Sequence, residues 1–370
     1  MKKSLLALAV LGAFAGAASA QSSVTVYGIV DLGFTNVDNG SRAGSITGIN
    51  SGNQSASRIG FRGTEDLGNG LNALFQLEAG IAADNGAAFV AATNGSNAGG
   101  FNRIATVGLQ SAAFGAVNLG RQTAVNKDAY DQIDPFGDGG SIAPIGQVFF
   151  NGALAGDFGR ISNSVKYSTP SFGGFKLSAA YGFGETAGDT SANSSYGFGA
   201  GYVNGPLNVQ LGYHNVDFSA PASITALNAT TISETEALFL GATYNFGVVK
   251  LHAAVAESEL DNVALATPDT KFRNYMIGVS TKLGAAGNLF ASYSVNDNRT
   301  TNDADAQRAA IMYTYDLSKR TNLYTGYSHT SNDNGSRIGL FGTTAGTPAN
   351  MNAPAGESAS SLAVGVRHRF

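Results

Sequence analysis

Short stretches in which every second residue is apolar recur from one end of this chain to the other. In one, Leu71, Ala73, Phe75, Leu77, Ala79 and Ile81 alternate with Asn72, Leu74, Gln76, Glu78 and Gly80. In another, Phe175, Leu177, Ala179, Tyr181 and Phe183 alternate with Lys176, Ser178, Ala180 and Gly182. Side chains of a strand point to opposite faces with period two, so each stretch has one greasy face and one small or polar face. Sixteen such segments are predicted, at 22–35, 56–66, 71–82, 102–111, 114–122, 160–170, 174–185, 195–204, 207–217, 235–246, 248–259, 272–283, 287–297, 307–317, 320–331 and 359–370. Alternation over about ten residues, repeated with no helix between, suits strands that cross a membrane. About sixteen strands enclose a water-filled lumen rather than a packed interior. The fold class is therefore all-β, a transmembrane antiparallel β-barrel.

The connections orient this barrel. Tight turns such as Leu67-Gly68-Asn69-Gly70, Gly205-Pro206 and Asn245-Phe246-Gly247 alternate with long Asn/Ser/Thr/Gly-rich stretches at 36–55, 83–101, 218–234 and 331–358. Short turns face the periplasm in bacterial barrels and long loops face outside. The connection over about 123–159 is different in kind: it carries Asp128, Asp131, Asp134 and Asp138, then an apolar tail with Val148, Phe149 and Phe150. So long a loop in a compact β protein is functional or disordered, and its apolar content argues against disorder. The expectation is a loop folded into the lumen with its apolar part on the inner wall.

Residues 1–20 read as a leader, with Lys2 and Lys3, an apolar run from Leu5 to Phe14, and the small-residue cleavage site Ala18-Ser19-Ala20. Its removal leaves one domain, 21–370. The absence of Cys excludes disulfides, thiol chemistry and Cys–metal sites. The 49 Gly are nearly double the usual share, and many lie inside the alternating segments, where they let tilted strands bend. Without Lys2 and Lys3 there are 20 bases against 26 acids, a net of −6, which argues against a nucleic-acid partner. The chain ends on a strand with Leu362, Val364, Val366, His368 and Phe370 on one face, its last residue an aromatic suited to an interfacial girdle.

Alternation also assigns charges to faces. Ile59 and Phe61 face lipid, which turns Arg58, Gly60 and Arg62 inward. Val165 and Tyr167 place Arg160, Ser162, Ser164 and Lys166 inward, and Arg103 reads as inward beside Ile104. An Arg at the bilayer midplane costs about 2–4 kcal/mol, so mid-strand bases belong in the lumen. Arg121 shares parity with Val117 and Leu119 and is assigned instead to an interface or a loop anchor.

Several stretches together resemble the Gram-negative general porins, especially the trimeric porins of β-proteobacteria. They are Ser23-Val24-Thr25-Val26-Tyr27-Gly28-Ile29-Val30-Asp31, Ser57-Arg58-Ile59-Gly60-Phe61-Arg62-Gly63-Thr64-Glu65-Asp66-Leu67-Gly68, Asn102-Arg103-Ile104-Ala105-Thr106-Val107-Gly108-Leu109, Leu119-Gly120-Arg121-Gln122, Asn163-Ser164-Val165-Lys166-Tyr167-Ser168, Gly174-Phe175 and the terminal Phe370. The resemblance implies a homotrimer in outer-membrane lipid, whose third loop narrows the pore at mid-height, with no cofactor and no catalysis. It also implies a basic wall at Arg58, Arg103 and Arg160, with Arg62 and Lys166 as neighbours, facing loop acids Asp131 and Asp134, then Asp128 and Asp138. The chain departs from the pattern at Pro135, where some relatives carry an acid. The expected function is a general diffusion porin passing ions and small hydrophilic solutes with a weak preference for anions. The alternative is a substrate-specific channel on the same barrel, which would need an aromatic track; Tyr27, Phe290 and Tyr324 are the dispersed inward candidates. His214, His252, His329 and His368 have no metal spacing, and no nucleophile–base or phosphate-loop motif is present.

Overall fold

The computed structural model describes residues 23–40, 44–88, 100–137, 140, 142, 145–149, 159–224, 230–262, 269–301, 304–339 and 353–370. The expected leader, Asp138 and Phe150 lie outside them. The strands are β1 (Ser23–Asp38), β2 (Ile46–Ser51), β3 (Arg58–Gly68), β4 (Leu71–Ala82), β5 (Ala87–Ala88), β6 (Ile104–Ser111), β7 (Gly115–Thr123), β8 (Arg160–Ser168), β9 (Phe175–Gly182) and β10 (Ser195–Asn204). They continue with β11 (Leu207–Ile224), β12 (Thr230–Asn245), β13 (Val249–Asn262), β14 (Thr270–Leu283), β15 (Gly287–Asn298), β16 (Ala306–Asp316), β17 (Thr321–Asn332) and β18 (Ala359–Arg369). Two short helices, α1 (Val125–Tyr130) and α2 (Ile145–Phe149), lie between β7 and β8.

Each strand pairs antiparallel with its neighbours, and β1 pairs with β18 from Ile29↔Arg369 to Asp38↔Ser360. The sheet is thereby closed. β5 only caps the end of β4. β2 and β3 both pair with β1, at its upper and lower ends, and act as one barrel strand. The result is a closed sixteen-strand barrel, with one strand for every predicted segment.

Two of the stretches expected as long loops are more ordered than the alternation implied. The 36–55 stretch contains β2, and after it residues 52–57 turn in and are buried. Asp31 causes this: its carboxylate accepts the N–H groups of Gln54 at 2.8 Å and Ser55 at 2.6 Å, and the Tyr324 hydroxyl at 2.6 Å. In the 218–234 stretch, β11 and β12 run on as a hairpin beyond an irregularity between Asp217 and Ala222. Short polar side chains hid both extensions from a reading based on apolar alternation.

The apolar face is on the outside, where Leu211, Leu240, Ile277, Ile311 and Val364 are each more than a third exposed. Tyr167, Phe172, Phe175, Tyr244, Phe246, Tyr315 and Phe370 gather at the short-turn end of this band as an aromatic girdle. Phe370 also locks the seam, exchanging backbone hydrogen bonds of 3.1 Å with Gly28 in both directions. At the β3–β4 turn, Gly68, Asn69 and Gly70 all take positive φ (85°, 53° and 75°), which a β-branched residue would resist.

Candidate pore constriction

The described part of the loop between β7 and β8 lies against the inner face, opposite the lipid band. Its course can be followed strand by strand. α1 packs on β9 to β12 and α2 on β14 to β16. Between them Ile133 and Phe149, both fully buried, join Tyr130, Val148, Phe239 and Met276 in an apolar cluster. Polar wall side chains hold the loop backbone: His252 Nδ1 is 2.6 Å from the Ile133 carbonyl, Asn274 donates to Phe149 O at 2.6 Å, and Asn296 donates to Val148 O at 3.1 Å. Buried carbonyls must be paired, and the wall does the pairing. At its far side the loop reaches β17, where Ile142 packs beside Tyr324 and its N–H donates to Asn53 O at 3.2 Å.

The described loop acids Asp128, Asp131 and Asp134 are all occupied. Asp131 forms a two-oxygen ion pair with Lys127, one turn back on α1, with both oxygens at 2.7 Å from Nζ. Asp128 pairs with Lys166 and also accepts the Thr123 hydroxyl at 2.6 Å, so Lys166 ties the base of the loop to β8. Asp134 is buried, accepting the Phe136 N–H at 3.0 Å and the Ile145 N–H at 3.3 Å, and closes the corner between the helices. Burial pushes its carboxyl up to about 7, against those two N–H bonds.

The wall bases gather elsewhere, on β3 and at the ends of β6, β7 and β8. The charges of Arg103, Arg121 and Arg58 all bear on the half-buried Arg160. Arg103 is bonded to Glu78 at 2.6 Å, the one acid brought into this group among the described residues. Arg58 Nε donates to Ala56 O at 2.9 Å. Arg62 lies exposed with its guanidinium carbon 5.1 Å from the Tyr27 ring centroid, and Tyr27 donates to Glu78 at 2.9 Å. The structure therefore joins Arg58, Arg62, Arg103 and Arg160 and leaves Lys166 apart.

Two participants escaped the sequence reading, and a third was read without its partner. Glu78 was counted only as the polar partner of an alternating strand. Lys127 was expected to offset the loop acids in part, and the structure pairs it with Asp131 at i,i+4. Arg121 was set aside by parity, yet it donates to Asn102 O and to Ser162 Oγ, both at 2.7 Å, and so ties together the ends of β6, β7 and β8. A register shift between Gly120 and Gln122, with φ of +117° at Gly120 and +46° at Asn163, breaks the alternation here. Fully buried Ile161 packs with Ala124, Val125 and Ala180, so the face assigned to Arg160, Ser162 and Ser164 is not continuous. As for metals, the carboxylates of Glu259, Asp261 and Asp269 approach within 4.8 Å at the β13–β14 loop, but Glu259 is already bound to Lys271 at 2.5 Å.

A closed sixteen-strand barrel with an apolar belt outside and charged side chains gathered on its other face defines a membrane channel of the porin class. The chain belongs to the Gram-negative porin family, whose model matches residues 7–335. It is 37% identical to an outer membrane porin protein of Bordetella pertussis and 38% identical to outer membrane porin protein 32 of Delftia acidovorans, with the full length of every chain covered in both cases. Among solved structures it is similar to the anion-selective porin from Comamonas acidovorans, with a TM-score of 0.79 and 31% identity over 95% of this chain and 100% of that one. The protein is an outer-membrane porin that gives passive passage to ions and small hydrophilic solutes.

Proposed function

We propose that residues 123–159 form the constriction of this porin, that its charge favours anions, and that three copies assemble in outer-membrane lipid. The observation that carries the selectivity is an imbalance. Among the described residues, Arg58, Arg103, Arg121 and Arg160 share one region with a single carboxylate, Glu78, while Asp128 and Asp131 are each neutralised by a lysine of their own. Charge rings at a narrow waist bias which ion passes. Here the uncompensated charge is positive. The similar porin from Comamonas acidovorans is described as anion-selective, in keeping with this reading. The trimer is supported by outward apolar side chains on β1, β2 and β6, among them Val24, Val26, Phe34, Ile49, Val107 and Leu109.

Single-channel recording in planar bilayers tests all three parts. Conductance is expected in steps with three sublevels, and the reversal potential across a KCl gradient is expected on the chloride side. A potassium-side potential would transfer control to the loop acids.

A further inference from the structure

The loop rests on glycines. A methyl carbon placed on Gly199 of β10 would lie 2.5 Å from Val125 Cγ1, and one on Gly212 of β11 would lie 2.8 Å from Asn126 Cα. On Gly241 of β12 it would meet Ile133 Cγ1 and Cγ2, each at 2.9 Å, beside the wall's own Phe239 Cζ at 2.8 Å. On Gly278 of β14 and Gly326 of β17 it would meet Pro135 Cγ and Ile142 Cδ1, each at 2.8 Å. These five positions face inward, because the exposed apolar residues alternate with them: Phe198, Leu211, Leu240, Ile277 and Leu323. The loop residues that meet them follow the same order along the loop as the strands do around the barrel.

Glycine weakens a strand interior and needs a reason to be there. None of these five takes a positive φ, so backbone freedom is not the reason. What they share is a loop atom occupying the space of the missing side chain. Where a strand in this arc has no such glycine, the wall meets the loop differently: His252 of β13 bonds Ile133 O, and Phe290 of β15 packs against Phe136 with ring centroids 6.3 Å apart.

We propose that Gly199, Gly212, Gly241, Gly278 and Gly326 form a seating track that sets how far the loop stands off the wall, and hence the free cross-section of the pore. They are positioning residues for the size limit of the channel, and their role rests on the loop being the constriction. Carbon atoms pack at about 3.5–4.0 Å, so an added methyl moves the loop inward by about 0.6–1.5 Å. At Gly212 the obstructing atom is loop backbone and cannot rotate away. At Gly241 the loop atoms belong to a β-branched side chain, stiff at χ1, next to the ring of Phe239.

The test is single-channel conductance of the full-length trimer with Gly212→Ala, Gly241→Ala, Ile133→Ala and the double variant Gly241→Ala/Ile133→Ala, with Arg160→Ser measured for reversal potential. The expected result is lower conductance in both glycine variants, no such fall in Ile133→Ala, and recovery to the parent level in the double variant. Gly212→Ala alone keeps the idea testable if Gly241→Ala does not fold. Parent-level conductance in the glycine variants, or a fall that trimming Ile133 does not reverse, overturns the track. If the Arg160→Ser shift persists in that case, the constriction survives; if it is missing too, both readings fall.

Discussion

The two sides of the lumen are built on opposite plans. On the side of β3 and β4, and at the ends of β6 to β8, the wall itself carries charge: Arg58, Arg62, Arg103 and Arg121 are held by carbonyls, a serine, Tyr27 and Glu78, and Arg160 lies within reach of their charges. On the side of β10 to β17 the wall is a seat of glycines, apolar residues and carbonyl-binding amides, and the loop covers it. Charge density separates them. On the proposed reading the loop, with Asp131 and Asp128 paired to Lys127 and Lys166, adds bulk to the waist with little net field. The arginine side adds field with little bulk. Size and sign of the pore would then be set by different walls.

The largest expected effect comes from breaking the charged side. In water-like surroundings a unit charge about 6 Å from a passing ion is worth about 0.7 kcal/mol, about a threefold change in local ion concentration before salt screens it. Replacing Arg58 and Arg160 together by Ser should therefore move the reversal potential strongly towards potassium, most of all at low salt, while raising conductance. An unchanged potential would place selectivity elsewhere. A smaller effect should come from the covered side. Lys127→Met frees the Asp131 carboxylate, and the same measurement should show a potassium-ward shift of about one charge. Adding Asp131→Asn to that variant should cancel it, because the pair is lost as a unit.

How much of this was legible in the sequence follows from which physics each part obeys. All sixteen barrel strands were visible because lipid on one side and water on the other impose a period of two. Arg58, Arg62 and Arg103 could be assigned inward because a charge has nowhere else to go at that depth. The register shift at Gly120 and Asn163 defeated the same logic for Arg121, since one extra residue shifts the faces beyond it. The states of Asp128, Asp131 and Asp134 were hidden for another reason. Their partners Lys127, Lys166 and the Phe136 and Ile145 amides depend on a loop path that no periodicity encodes. The seating glycines looked like devices for strand bending until the loop was set upon them.

The smallest effect expected is a pH dependence of the covered side, and its sign can be worked out. With the loop seated, burial keeps the Asp134 carboxyl protonated up to about 7, whereas released into water it titrates near its ordinary 3.8. Between those values the seated loop binds more protons than the lifted one, so seating weakens as pH rises through that window and is strongest below it. The neighbouring charges act in opposite senses, Asp131 raising the value and Lys127 lowering it. Open-channel current noise should therefore grow from pH 5 to pH 8. Asp134→Asn should remove the growth and leave a constant level, at the expense of the Ile145 N–H bond. His252, on the Ile133 carbonyl, is a further titratable group at this seat beside Asp131, Lys127 and Tyr130, and gaining a proton there would disturb the loop in acid, the reverse trend. Noise that rises towards acid and vanishes in His252→Gln would assign the dependence to the imidazole. Noise that rises towards base and vanishes in Asp134→Asn assigns it to the buried corner of the loop.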